Sequence, residues 1–98
     1  MAIDVEWQDE RGDTLATYEG PPINAQFVNS TPLDAKCICF IDPYGDTTFN
    51  AEQVSVLEGE LESLAGKDVS VSEQARALLH FLASHQDRVH TYLKFIGD

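Results

Sequence analysis

Two cysteines, three histidines and a scatter of carboxylates are the residues of this 98-residue chain whose types could carry chemistry. Cys37 and Cys39 stand one residue apart in the run CICFI, residues 37 to 41. On a strand both thiols would project from one face, as the start of a metal or redox site would require. C-x-C, however, lacks the second spacer of the C-x-x-C that grips zinc or cycles as a dithiol. So tight a loop would also strain a disulfide, and both are expected as free thiols without metal. His80, His85 and His90 recur every five residues, which on a helix turns each about 140° from the last, so they cannot share one ion. His85 alone falls on the apolar side and reads as a core histidine bonded to an oxygen. Asp42, Asp46 and Glu52 are calcium-ligand types, but their spacing is not that of an EF-hand loop, and Pro43 and Tyr44 occupy positions where ligands are wanted. The chain has no glycine-rich phosphate loop, no H-E-x-x-H and no G-x-S-x-G. It reads as a non-enzyme with no catalytic residue, no cofactor and no metal site.

What is left is charge. Seventeen Asp and Glu against six Lys and Arg give a net −11. Residues 1 to 66 hold thirteen acids and two bases, net −11, and residues 67 to 98 hold four of each, net zero. That field repels phosphates and anionic lipid, so neither nucleic acid nor a membrane surface is an expected partner. No apolar run reaches the roughly 18 residues of a spanning helix, and MAIDVEWQDE lacks the basic and apolar regions of a signal peptide. The default expectation is a cytoplasmic protein. A basic protein is the partner such a field would steer, although acidity can also serve solubility alone.

The acids have a pattern where a helix is expected. Glu52, Val56 and Glu60 follow at steps of four, an apolar residue between two carboxylates, with Glu58 and Glu62 on the other flank. Joined to Asp42, Tyr44 and Asp46 of the preceding turn, they form the expected partner-binding set. Tyr44 and Val56 would anchor, and the six carboxylates would form a rim.

The elements that must position these residues are read from periodicity. Residues 3 to 8 alternate, with Ile3, Val5 and Trp7 on one face and Asp4, Glu6 and Gln8 on the other, a half-buried strand. A turn around Gly12 returns it as TLATYE, residues 14 to 19. Residues 23 to 35 are ambiguous, AQFVN suiting a short strand. CICFI, apolar at five successive positions, reads as a central strand, and TTF at 47 to 49 as another after the D-P-Y-G-D turn. Asn50 with Gln53 forms a capping box for a helix over 51 to 65, with Gly66 as its C′ residue. Its apolar stripe is Val54, Leu57, Leu61 and Leu64. Ser70 with Glu73 opens a second helix whose apolar residues, Val71, Ala75, Leu78, Leu82, His85, Val89, Tyr92 and Ile96, run nearly to Gly97. That helix would be about 40 Å long if unbroken, a break near Ser84 to Gln86 being the alternative. Its wide apolar face would pack on the sheet and first helix, or be shared with a second copy.

The expected whole is one α+β domain over residues 1 to 98. A small, mainly antiparallel sheet of about four strands precedes two helices packed on one face, the second long and C-terminal. With CICFI apolar on both sides, the opposite face would be covered by residues 23 to 35 or by another chain.

FIDPYGDTTFN at 40 to 50 and HTYLKFIGD at 90 to 98 resemble segments shared by small, uncharacterised bacterial proteins, a resemblance that implies no activity. In size and acidity the chain is also similar to the immunity proteins that neutralise nuclease toxins, of the barstar or colicin-immunity kind. That likeness implies an immunity or antitoxin-type inhibitor masking a basic toxin. The alternative is a homo-oligomeric or adaptor protein without catalytic activity.

Overall fold

The computed structural model describes residues 2–29, 36–66, 71–84 and 90–97. The chain opens with strand β1 (Ala2–Asp9), whose alternation works as the sequence implies: Ile3, Val5 and Trp7 are buried and Asp4 is exposed. β2 (Thr14–Thr17) returns antiparallel to it. Between them Asp9 Oδ1 accepts from the N–H groups of Arg11 and Asp13, and Gly12 takes a φ of 86° that a side chain would resist. Two-residue β3 (Ile23–Asn24) pairs with the start of β1. Asn24 Oδ1 then accepts from Phe27 N–H at 3.0 Å and starts a short helix, α1 (Ala25–Asn29). AQFVN is thus a helical turn that buries Phe27 and Val28, not a strand.

The stretch read as the central strand is not in the sheet. Ile38–Phe40 form one 3₁₀ turn. Cys37, Ile38 and Ile41 are buried while Cys39 is exposed and Phe40 is 71% exposed, so the apolar run divides at helical rather than alternating spacing. The place beside β1 is taken instead by the last element, β5 (Thr91–Ile96), in the strand order β2-β1-β5-β4, where β4 is Asp46–Phe49. All pairings are antiparallel.

β5 is the main departure from the sequence reading, which placed residues 71 to 96 in one long C-terminal helix. TYLKFI satisfies a helical stripe through Tyr92 and Ile96, but as a strand it buries Thr91, Leu93 and Phe95 instead. Val5 lies opposite Phe95 and Trp7 opposite Leu93, so both strands face their apolar residues the same way. Such β-branched and aromatic residues suit a pleated surface.

Both helices pack on that face. α2 (Ala51–Ala65) matches the expected limits, and its capping box is reciprocal: Gln53 N–H donates to Asn50 Oδ1 and Asn50 N–H to Gln53 Oε1, each at 2.9 Å. Val54, Leu57, Leu61 and Leu64 are buried. Gly66 ends α2 with an ordinary φ of −81°, not the left-handed conformation of a C′ glycine. α3 (Ser72–Ala83) buries Ala75, Leu78 and Leu82. Ser70, Val89 and His85 lie outside the described residues, and with them the expected cap and core histidine. All the buried apolar residues join one cluster between sheet and helices. Because CICFI is not a strand, the opposite sheet face carries Asp4, Glu6, Gln8, Tyr92, Lys94 and Ile96 in place of its apolar run.

Candidate functional site

The loop from Lys36 to Asp46 is held from several directions. Glu60, on the third turn of α2, accepts N–H bonds from Lys36 at 2.6 Å, Cys37 at 3.1 Å and Ile38 at 3.0 Å, closing the open end of the 3₁₀ turn. Cys37 Sγ donates to Gln53 O at 3.5 Å, so the turn lies along the α2 face that carries Gln53 and Glu60. Burial, then the neighbouring Glu60 and Cys39, push the Cys37 thiol pKa up, away from nucleophilic character.

Asp42-Pro43-Tyr44-Gly45 is a tight turn with each residue type where its chemistry helps. Asp42 Oδ1 accepts from Tyr44 N–H at 2.9 Å, Gly45 N–H donates to Asp42 O at 3.3 Å, and Asp42 N–H donates to Thr47 Oγ1 at 3.0 Å. Gly97 N–H donates to Gly45 O at 2.8 Å, and a Cβ on Gly97 would stand 2.6 Å from Gly45 N and from Pro43 C and O. The segments PYGDTTF and YLKFIG, distant in sequence, therefore form one packed unit through this contact and the β4–β5 pairing.

This rigid loop presents aromatic surface to solvent: Phe40 is 71% and Tyr44 73% exposed. Val56 on α2 is 45% exposed. Of the expected set, Asp42, Tyr44 and Asp46 share one turn, and Glu52 and Val56 are exposed on α2. Asp46 Oδ2 pairs with Lys94 Nζ at 3.4 Å, on the open sheet face. Glu60 is not a free rim residue, since its carboxylate organises the loop. Glu58, half-buried, and Glu62, exposed, lie about 160° round the helix from Glu60, so the six carboxylates do not form one rim. Phe40 was missed. Reading 37, 38 and 41 as one helical face would have turned residue 40 outward.

Among the described residues no three His, Cys, Asp or Glu converge as a metal site, and Cys37 and Cys39 are free thiols. A cleft of about 320 Å³ is lined by Asn50, Ala51, Glu52, His90, Thr91 and Tyr92, and His90 there is no helix residue but a turn residue with φ 59°. A second, of about 400 Å³, lies between Thr17–Gly20 and α3, where His80 and Ser84 face it. Ser84 Oγ donates to Phe81 O at 2.7 Å, a bond that occupies its hydroxyl proton. Tyr18 lines the same cleft; its ring meets Phe81 edge-on at 5.8 Å and its hydroxyl donates to Pro21 O. Burial, and after it Glu73, raises the phenol pKa to about 12. Among the described residues no helix is long and apolar enough to cross a membrane. The chain matches no protein-family model, no curated protein and no solved structure.

Proposed function

We propose that this chain is a non-catalytic protein-binding domain of the immunity or antitoxin type, acting by covering a basic toxin or nuclease. One observation supports this most: Phe40 and Tyr44 stay exposed on a loop whose backbone is fixed by Glu60, Asp42 and Gly97. A large aromatic on a pre-ordered loop is the kind of residue that carries binding energy, because little conformational entropy is lost on docking. The charge beside the rings suits a basic partner: Asp42 on the turn and Glu52 on α2 are both exposed. The second reading is a homo-oligomer, favoured by the outer edge of the sheet, where β2 ends the strand order and Leu15 is 37% exposed.

Co-expression of the chain with the products of neighbouring genes tests the proposal. Rescue of growth from a toxic basic product is the expected result. Failure to relieve any such toxicity, with a stable oligomer in light scattering at both low and high salt, would transfer support to the homo-oligomer.

A further inference from the structure

We infer that Phe40 and Tyr44 are paired anchors for apolar sockets ringed by Lys or Arg on a different protein, and that Glu60 acts only as the latch that presents them. The inference rests on the protein-binding reading and names the contact residues and the chemistry of the partner.

The exposure of the two rings is imposed, not a result of fraying. Three successive N–H groups end on Glu60, the Asp42 side chain fixes Tyr44 N–H, and Gly97 abuts the backbone at Pro43 and Gly45. Between these fixed points Ile38 and Ile41 turn into the core, so backbone geometry sends Phe40 outward. A solitary exposed apolar residue is ordinary. Here two aromatics, each more than 70% exposed, come from positions four apart on one restrained loop.

Charge selects the occupant. A second copy using this face would set the exposed Asp42 and Glu52 against the same two carboxylates, and like charges across a desolvating contact oppose association. Asp42 and Glu52 are exposed and Asp46 pairs with Lys94, so carboxylates border the anchors on the turn and on α2. A partner that buries the rings must therefore bring cations to the border. Truncating a ring should shorten the lifetime of the complex, whereas reversing a border charge should slow its formation in a salt-dependent way.

Two synthetic peptides provide the test, one of lysines with a central pair of leucines, the other with serines in place of the leucines. The intact protein should bind the leucine peptide about tenfold more tightly in titration calorimetry, with amide shifts concentrated at residues 40 to 46 and at Val56. Phe40→Ser with Tyr44→Ser should erase that tenfold difference while thermal stability is kept, since neither ring is in the core. Glu60→Gln should weaken the leucine peptide and leave the serine peptide unchanged. Equal affinity for the two peptides, or shifts centred on the Asp9–Asp13 turn, would overturn the inference. A dimer dissolved by Phe40→Ser would also overturn it, because the occupant would then be a second copy. If a rescued toxic product is bound as tightly by the double variant as by the parent, the anchors are wrong but the protein-binding reading stands.

Discussion

Replacing Glu60 with alanine removes the acceptor from three backbone N–H groups at once. Lys36 N–H is at the surface, while those of Cys37 and Ile38 are partly buried and have little access to water in exchange. A hydrogen bond to a charged acceptor contributes about 1.5–3 kcal/mol, and loss of a helix cap costs about 1 kcal/mol. The three bonds share one carboxylate and one is exposed, so their contributions do not add, and a destabilisation of about 2 kcal/mol is expected. For a domain near 100 residues that lowers Tm by roughly 8–16 °C. Glu60→Gln keeps one acceptor oxygen but sets an amide N–H₂ against donors, and should cost about half as much. Chemical denaturation followed by tryptophan fluorescence measures the loss, with Trp7 as the reporter. Glu62→Ala, from the exposed side of α2, is the control and should change stability by less than about 0.5 kcal/mol. If Glu60→Ala is as stable as Glu62→Ala, the latch does not hold the loop and the argument for imposed exposure of Phe40 fails.

Gly97→Ala should destabilise by about 1–3 kcal/mol, read as a lower denaturant midpoint, because its Cβ would press on backbone that cannot yield as a side chain does. A midpoint unchanged from the parent would mean that the close approach to Pro43 is not made. Leu93→Ala should cost about 2–5 kcal/mol and Tyr92→Ala much less, since Leu93 is fully buried; equal losses would contradict the strand. Tyr18 has a phenol pKa raised to about 12 in the fold from its ordinary value of 10.0, so the neutral form is favoured. Its contribution is complete below pH 10 and is lost as pH rises towards about 12. Tyr18→Phe should remove that part of the alkaline loss of stability, and an unchanged profile would assign the loss elsewhere. Thiol labelling of the folded protein should modify exposed Cys39 before buried Cys37, whose thiol is also bonded to Gln53 O; equal rates would contradict that seat.

Much of the fold was legible because its signals are local. Alternation in residues 3 to 8 and a glycine turn suffice for the β1–β2 hairpin, and Asn50 with Gln53 sets the start of α2 without help from the rest of the chain. The acidity of the first two thirds and the unusual turn chemistry at 42 to 46 were equally plain, as was the exposure of Tyr44 and Val56.

What local signals could not settle was which apolar run enters the sheet. CICFI and TYLKFI can each be drawn as a strand, and the second also fits a helical stripe. Only the pairing partners discriminate. TYLKFI places Leu93 and Phe95 opposite Trp7 and Val5 and receives β4 on its other edge, whereas residues 37 to 41 are drawn into a turn by a carboxylate twenty-odd residues away. The same long-range bonds moved Glu60 from the expected contact rim to the interior of the loop and turned Phe40 out. Helix caps and hairpins depend on neighbours within a few residues, so the sequence alone determined them. Sheet order and the direction of an apolar side chain depend on contacts between distant segments, and these only the tertiary structure decided.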